Sequence, residues 1–155
     1  MVKYELLYLR LTTCGICKRF NENQNFPQLQ SKLNEKKYPI EIKISDENVL
    51  SSPDTDLINK TKMIMNKEGK LKVPALFLFN NTISSVQSEP TTYEYFKIDI
   101  ETGYDISNNQ RDIMGILGQI EEKIKATENK SIGEKKKYIK YKYKYLELKI
   151  KKNIT

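Results

Sequence analysis

Apolar and polar residues follow two different rhythms along this chain, and the switches between them divide it into elements. Residues 4–11 (Tyr-Glu-Leu-Leu-Tyr-Leu-Arg-Leu) are aromatic and aliphatic, lack Gly and Pro, and predict a strand buried on both faces at its centre. Residues 39–45 (Pro-Ile-Glu-Ile-Lys-Ile-Ser) alternate apolar with polar, the pattern of a half-buried strand. Within 71–79, Val-Pro-Ala-Leu-Phe-Leu-Phe is almost continuously apolar and predicts a central strand. Pro74 belongs at its head, because proline has no N–H to give to a ladder. Residues 92–100 predict a fourth strand, closed by a turn at Gly103. Asn80-Asn81 read as a turn and 82–91 as a loop, with Thr82-Ile83-Ser84 as an alternative strand extension.

Between the strands the rhythm becomes helical. A helix is expected from near Gly15, disturbed at Pro27, with a second piece to about Lys37. Asp54 is placed to cap a helix carrying Leu57, Ile58, Met63 and Ile64, which Gly69 would end. From 109 to 127, Ile113, Ile116, Leu117, Ile120 and Ile124 recur at steps of three and four, one apolar stripe facing a core. The order β-α-β-α-β-β-α predicts an α/β fold. Its central mixed sheet is flanked by helices, with the first strands parallel and the last pair antiparallel. No internal repeat is present.

Length and charge refine this picture. A chain of 155 residues suits one ordinary domain. The formal net charge is +7, yet residues 130–155 hold ten Lys against two Glu, a local charge of +8 that leaves −1 for the other 129 residues. The body is close to neutral and the basic character sits in an extension. The expected organisation is a domain at 1–129 and a Lys/Tyr-rich tail at 130–155. Read as a helix, the tail puts Tyr138, Tyr141, Tyr145 and Leu148 on one side and Ile139, Tyr143, Leu146 and Ile150 on another. Read as a strand, 139–145 alternates and then slips phase at Leu146; length favours the helix. Lysines interleaved with tyrosines suit phosphates and stacked bases, anionic lipid or an acidic partner, or serve as a solvated extension.

Two absences narrow the chemistry. The chain has no His, which excludes Ser-His and Cys-His nucleophile pairs and any His-ligated metal. Its two Cys cannot furnish the four ligands of a structural zinc site unless two chains share the ion. No metal is expected. No stretch reaches the ~18 apolar residues of a membrane span, and Met1-Val2-Lys3-Tyr4-Glu5 lacks a secretion-signal pattern. A cytoplasmic location is therefore expected. In that reducing compartment a Cys pair points to catalysis or metal binding more than to a structural disulfide.

That pair is Cys14-Gly15-Ile16-Cys17, at the junction of a predicted strand and a predicted helix. A Cys at a helix N-terminus faces unpaired N–H groups and the positive end of the helix dipole, both of which stabilise a thiolate. Gly15 opens the helix, and Lys18 and Arg19 add positive charge. Cys14 is thus the candidate attacking thiol, and Cys17, one turn further in, the resolving one. Such exchange depends on thiolate fraction and access, and needs no cofactor. Val73-Pro74, at the head of an apolar strand, is placed to adopt a cis bond.

Thr-Cys-Gly-Ile-Cys-Lys near the N-terminus and Lys-Val-Pro-Ala-Leu-Phe-Leu-Phe later in the chain resemble, in the same order, two motifs of the thioredoxin/glutaredoxin superfamily. The resemblance covers about residues 1–126. It implies a thioredoxin-like fold and a thiol–disulfide oxidoreductase acting through Cys14 and Cys17. It also implies a cis-proline loop at Pro74, whose preceding residue Val73 offers its backbone to a bound peptide. Thr13 stands where thioredoxins carry Trp, so the substrate-facing surface there differs. No buried acid is evident in the first strand, where Glu5 is the only acidic residue. The Gly-Gly and acidic segment by which glutaredoxins hold glutathione does not follow the Pro74 strand. Protein thiols and disulfides are therefore the expected substrates, reset by an upstream thiol oxidase or reductase, and glutathione is disfavoured. The Cys-x-Ile-Cys motif, the Phe-Lys-Ile-Asp-Ile strand and the Lys-, Asn- and Ile-heavy composition resemble more narrowly the glutaredoxin-like late proteins of poxviruses. That resemblance implies a viral cytoplasmic disulfide relay, in host cytoplasm or virion.

Overall fold

The computed structural model describes residues 4–22, 25–81, 93–105, 107–108 and 110–154. The strand or loop expected within 82–91 lies outside them. Four strands form one mixed open sheet in the order β2-β1-β3-β4, where β1 is Tyr4–Leu9, β2 Ile40–Ser45, β3 Ala75–Asn80 and β4 Glu94–Ile98. β1 runs parallel to β2 and antiparallel to β3, and β3 runs antiparallel to β4. All six residues of β1 and all six of β3 are buried, as continuous apolar runs require of central strands. β2 and β4 are half-buried edges.

Helices α1 (Gly15–Glu22) and α2 (Asn25–Glu35) follow β1, and α3 (Thr55–Glu68) follows β2 after a single 3-10 turn at Val49–Ser51. Pro27 does not break a helix. It sits inside the first turn of α2, where the N–H that proline lacks has no intrahelical partner in any case. Asp54 caps α3 by accepting the Leu57 N–H at 3.0 Å, and Gly69 ends the helix at φ 71°.

Alternation along β1 divides the core. Leu7 and Leu9 join Ala75, Phe77 and Phe79 on one face, against Val49, Leu57 and Ile64. On the opposite face Tyr8 meets Phe20 of α1 and Phe26 of α2, with ring centroids 5.5 Å and 4.4 Å away. An ion pair interrupts this core: Lys60 of α3 is 1% exposed and lies 3.2 Å from the buried Glu5 of β1.

The chain divides into two compact units, Met1–Ile120 and Glu121–Thr155, with the division nine residues ahead of the start of the basic tail at 130. It falls within α4, a single 42-residue helix spanning Ile113–Ile154 that absorbs both the predicted helix at 109–127 and the tail. In the first unit, Ile113, Ile116, Leu117 and Ile120 are buried. In the second, every residue from 129 to 153 is exposed. No helix among the described residues is long and apolar enough to cross a membrane.

Candidate active site

β1 delivers the chain to the cysteine pair. Beyond Leu9 the backbone turns, with the Cys14 N–H donating to the Leu11 carbonyl at 3.2 Å. The Cys14 carbonyl then accepts the first helical bond of α1, from the Lys18 N–H at 3.0 Å. Cys14 is therefore the residue that caps α1, a position where the first turn offers N–H groups without helical partners. Its Sγ uses one of them: the Cys17 N–H donates to it at 3.3 Å. Both cysteines are free thiols, Cys14 half-buried and Cys17 1% exposed.

The surroundings make the two sulfurs unequal. Partial burial works against ionisation of Cys14. It is outweighed by hydrogen bonding from the Cys17 thiol and from the N–H groups of Cys17 and Ile16, and by the charge of Arg19, so its pKa falls below the ordinary thiol value. Burial acts the other way on Cys17, and together with the hydrogen bond to Cys14 and the negative charge there it pushes that thiol up to about 11. One sulfur is poised as a nucleophile and its neighbour is held protonated.

Of the cations next to the pair, Arg19 acts on Cys14, while Lys18 reaches outward to Glu22 at 3.7 Å. Gly15 contributes no hydrogen bond to the sulfur; the amides of Ile16 and Cys17 do. Thr13 is exposed in the turn before Cys14.

The structure brings the second motif to the first. The Cys14 thiol points to the Val73 carbonyl at 3.9 Å, 59 positions along the chain. The Val73-Pro74 peptide bond is cis, and Pro74 is buried directly ahead of β3. Clefts flank this segment. One, of about 360 Å³, is walled chiefly by Leu9, Leu11, Leu50, Met65, Leu71 and Val73. The other, of about 330 Å³, runs past Pro74 between Lys72, Lys97, Asp99 and Glu101. Leu11 and Ile16, beside the cysteines, leave 42% and 45% of their surface exposed.

Two participants escape sequence reasoning. Glu47 clamps the turn ahead of Cys14, accepting the Thr12 N–H at 3.1 Å and the Thr12 hydroxyl as well. Tyr8, fully buried six positions before Cys14, donates its hydroxyl to Asn21 Oδ1 at 3.1 Å, one helical turn below Cys17. Burial, then the negative charges that Cys17 and Cys14 can carry, hold its phenol protonated. The first strand, expected to hold no buried acid, does hold one. Glu5 is buried, but four residues back from the end of β1, about 13 Å along the strand. No group of three or more Cys, Asp or Glu side chains among the described residues is arranged to hold a metal ion. Comparison with family models, curated proteins and solved structures finds no match to this chain.

Proposed function

We propose that this protein is a thiol–disulfide oxidoreductase of thioredoxin-like fold that exchanges disulfides with protein substrates through Cys14 and Cys17. The observation that carries the reading is the geometry at the head of α1, where the Cys14 sulfur caps the helix by accepting the Cys17 N–H and its partner thiol lies one turn further in. The parallel β1–β2 pair, the antiparallel β3–β4 pair and the cysteines at the β1-to-helix junction support the thioredoxin-like assignment.

The exchange runs in two steps. The Cys14 thiolate attacks one sulfur of a substrate disulfide; that S–S bond breaks, and the other sulfur leaves with the electron pair and takes a proton from water. Cys17 then loses its proton and attacks the Cys14 sulfur, breaking the mixed disulfide and releasing the second substrate thiol. Two electrons and two protons pass to the substrate, and the protein keeps a Cys14–Cys17 disulfide. Run backwards, the same steps oxidise a substrate dithiol, and the direction is set by the thiol oxidase or reductase that resets the pair. The Val73 carbonyl beside the Cys14 thiol supports backbone pairing with a bound peptide, and the apolar cleft next to it suits a side chain flanking the reacting cysteine. This favours polypeptide over glutathione.

Insulin reduction tests the reading. Cys14→Ser is expected to abolish turnover. Cys17→Ser is expected to stall at a covalent mixed disulfide, visible on a non-reducing gel. Wild-type turnover by both variants, with no trapped adduct, overturns the assignment.

A further inference from the structure

The second unit offers a surface that disulfide exchange does not use. Over 130–153 α4 is a solvent-exposed helix about 36 Å long. Its side chains are sorted around the axis. Ile132, Ile139, Tyr143, Leu146 and Ile150 fall within a sector of about 60° at ~100° per residue. All five are substantially exposed, from 42% for Leu146 to 66% for Tyr143. Lys135, Lys142 and Lys149 border that sector on one side, and Lys136 and Lys140 on the other. A second stripe, Tyr138, Tyr141, Tyr145 and Leu148, lies across the helix from the first.

From this arrangement we infer that the helix docks on an anionic lipid surface, with the Ile132–Ile150 stripe turned into the bilayer interface and the bordering lysines reaching up to the headgroups. Three features point to lipid. The tail's charge of +8 needs an anionic counterpart. Lys136, Lys140 and Lys144 follow one another at the i,i+4 spacing where like charges weaken a bare helix, so a negative surface stabilises it. An aliphatic stripe with lysine on both borders is the pattern of a helix lying in an interface, where Lys stems cover apolar surface while their ammonium groups stay wet.

Other occupants fit less well. A nucleic acid would use the lysines and the tyrosine rings but would gain nothing from Ile132, Ile139, Leu146 and Ile150. A second copy of the helix would set lysine against lysine at both edges of the seam, where paired helices need opposite charges. The tyrosines opposite the stripe keep their hydroxyls toward water, the side of the helix away from lipid.

Vesicle flotation of the full-length protein tests this, with phosphatidylcholine vesicles that contain or lack phosphatidylserine. Binding is expected to be at least about tenfold tighter to the phosphatidylserine vesicles. The triple substitution Ile139→Asn, Leu146→Asn, Ile150→Asn is expected to lower that binding by about tenfold or more. Tyr138→Ser, Tyr141→Ser, Tyr145→Ser is expected to leave it within about twofold, with the helical circular dichroism of each bound variant recorded alongside. Equal binding to both vesicle types or to neither overturns the inference. So does the reverse result, in which the tyrosine variant loses binding, or binds single-stranded oligonucleotide less well than wild type does, while the aliphatic variant behaves as wild type. Insulin reduction by these variants reports on the cysteine site separately, so either proposal can fail alone.

Discussion

Lys60 makes the sharpest prediction about what holds the body of the protein together. Its ammonium lies 2.7 Å from Asp56, 3.2 Å from Glu5 and 3.1 Å from the Asn81 side-chain oxygen, and 5.3 Å and 5.2 Å from the ring centres of Phe79 and Tyr93. Asp56 is half-exposed and can be solvated without help, but Glu5 is 4% exposed and depends on this cation. Lys60→Met keeps most of the packed stem and removes the charge. An uncompensated buried carboxylate then costs about 3–5 kcal/mol, a large share of the ~5–15 kcal/mol typical of a domain. Glu5→Gln keeps an oxygen for the Lys60 ammonium and leaves Asp56 and Asn81 in place, so its cost is about 1 kcal/mol. The double substitution leaves no bare charge and should recover to within about 2 kcal/mol of wild type. The coupling energy from urea denaturation of all four proteins should therefore be at least about 2 kcal/mol, with the double variant more stable than Lys60→Met alone.

Proton linkage provides an independent check. Burial, opposed by Lys60, raises the pKa of Glu5 above 4.5. A raised folded-state pKa gives stability that is fully present below the unfolded value and lost as pH rises through the folded one. Removing Lys60 raises that pKa further, so the deficit of Lys60→Met should narrow on acidification toward the carboxylate range and widen toward neutral pH. A deficit independent of pH, or a double variant no better than Lys60→Met, would refute the assignment of the cost to a bare carboxylate.

Three more outcomes follow from the site. With the Cys14 pKa lowered and that of Cys17 raised to about 11, iodoacetamide near neutral pH should label Cys14 almost alone. The Cys14 rate should level off once pH exceeds its lowered pKa, while Cys17 becomes reactive only as pH approaches 11; peptide mapping by mass spectrometry reads both. Arg19→Gln should shift the Cys14 alkylation profile to higher pH, whereas Lys18→Gln, which removes only the outward pair with Glu22, should leave it in place. Glu47→Ala, which releases Thr12 from its clamp, should slow insulin reduction without a matching loss of thermal stability.

The strands were legible because each is coded by its own residues. β1 and β3 announce themselves as largely apolar runs, interrupted by Glu5 in one and ended by Asn80 in the other, and β2 as an alternation. The parallel first pair and antiparallel last pair follow from the connections between them, whereas the β1–β3 pairing has no local signature. Asp54 and Gly69 bounded α3 for the same local reason. Lys60 and Glu5 were not legible. Fifty-five positions apart, each reads as the polar side of an amphipathic element, and only the docking of α3 across β1 and β3 buries them together. The two-piece helical run was legible, but Pro27 marks its interruption a few residues late, because a proline is tolerated within the first turn of a helix and so does not fix where that helix starts. In the site, the Glu47 clamp on Thr12 spans 35 positions and has no local signature.

The inequality of the two thiols, by contrast, follows from spacing once β1 is placed. A helix that starts at the end of a buried strand has one end at the surface and one side against the sheet. Cys14 occupies the end, where amides without helical partners and the Arg19 charge meet an accessible sulfur. Three residues later the helix has turned about 300°, bringing Cys17 over the sheet beside Phe20 and above Tyr8. The packing that buries Tyr8 and Phe20 thus also holds the Cys17 thiol protonated. Moving either cysteine by one position would separate the roles from the places that create them. The intervening Gly15 and Ile16 therefore matter less for their side chains than for the length of backbone they supply, and for the Ile16 amide that faces the sulfur.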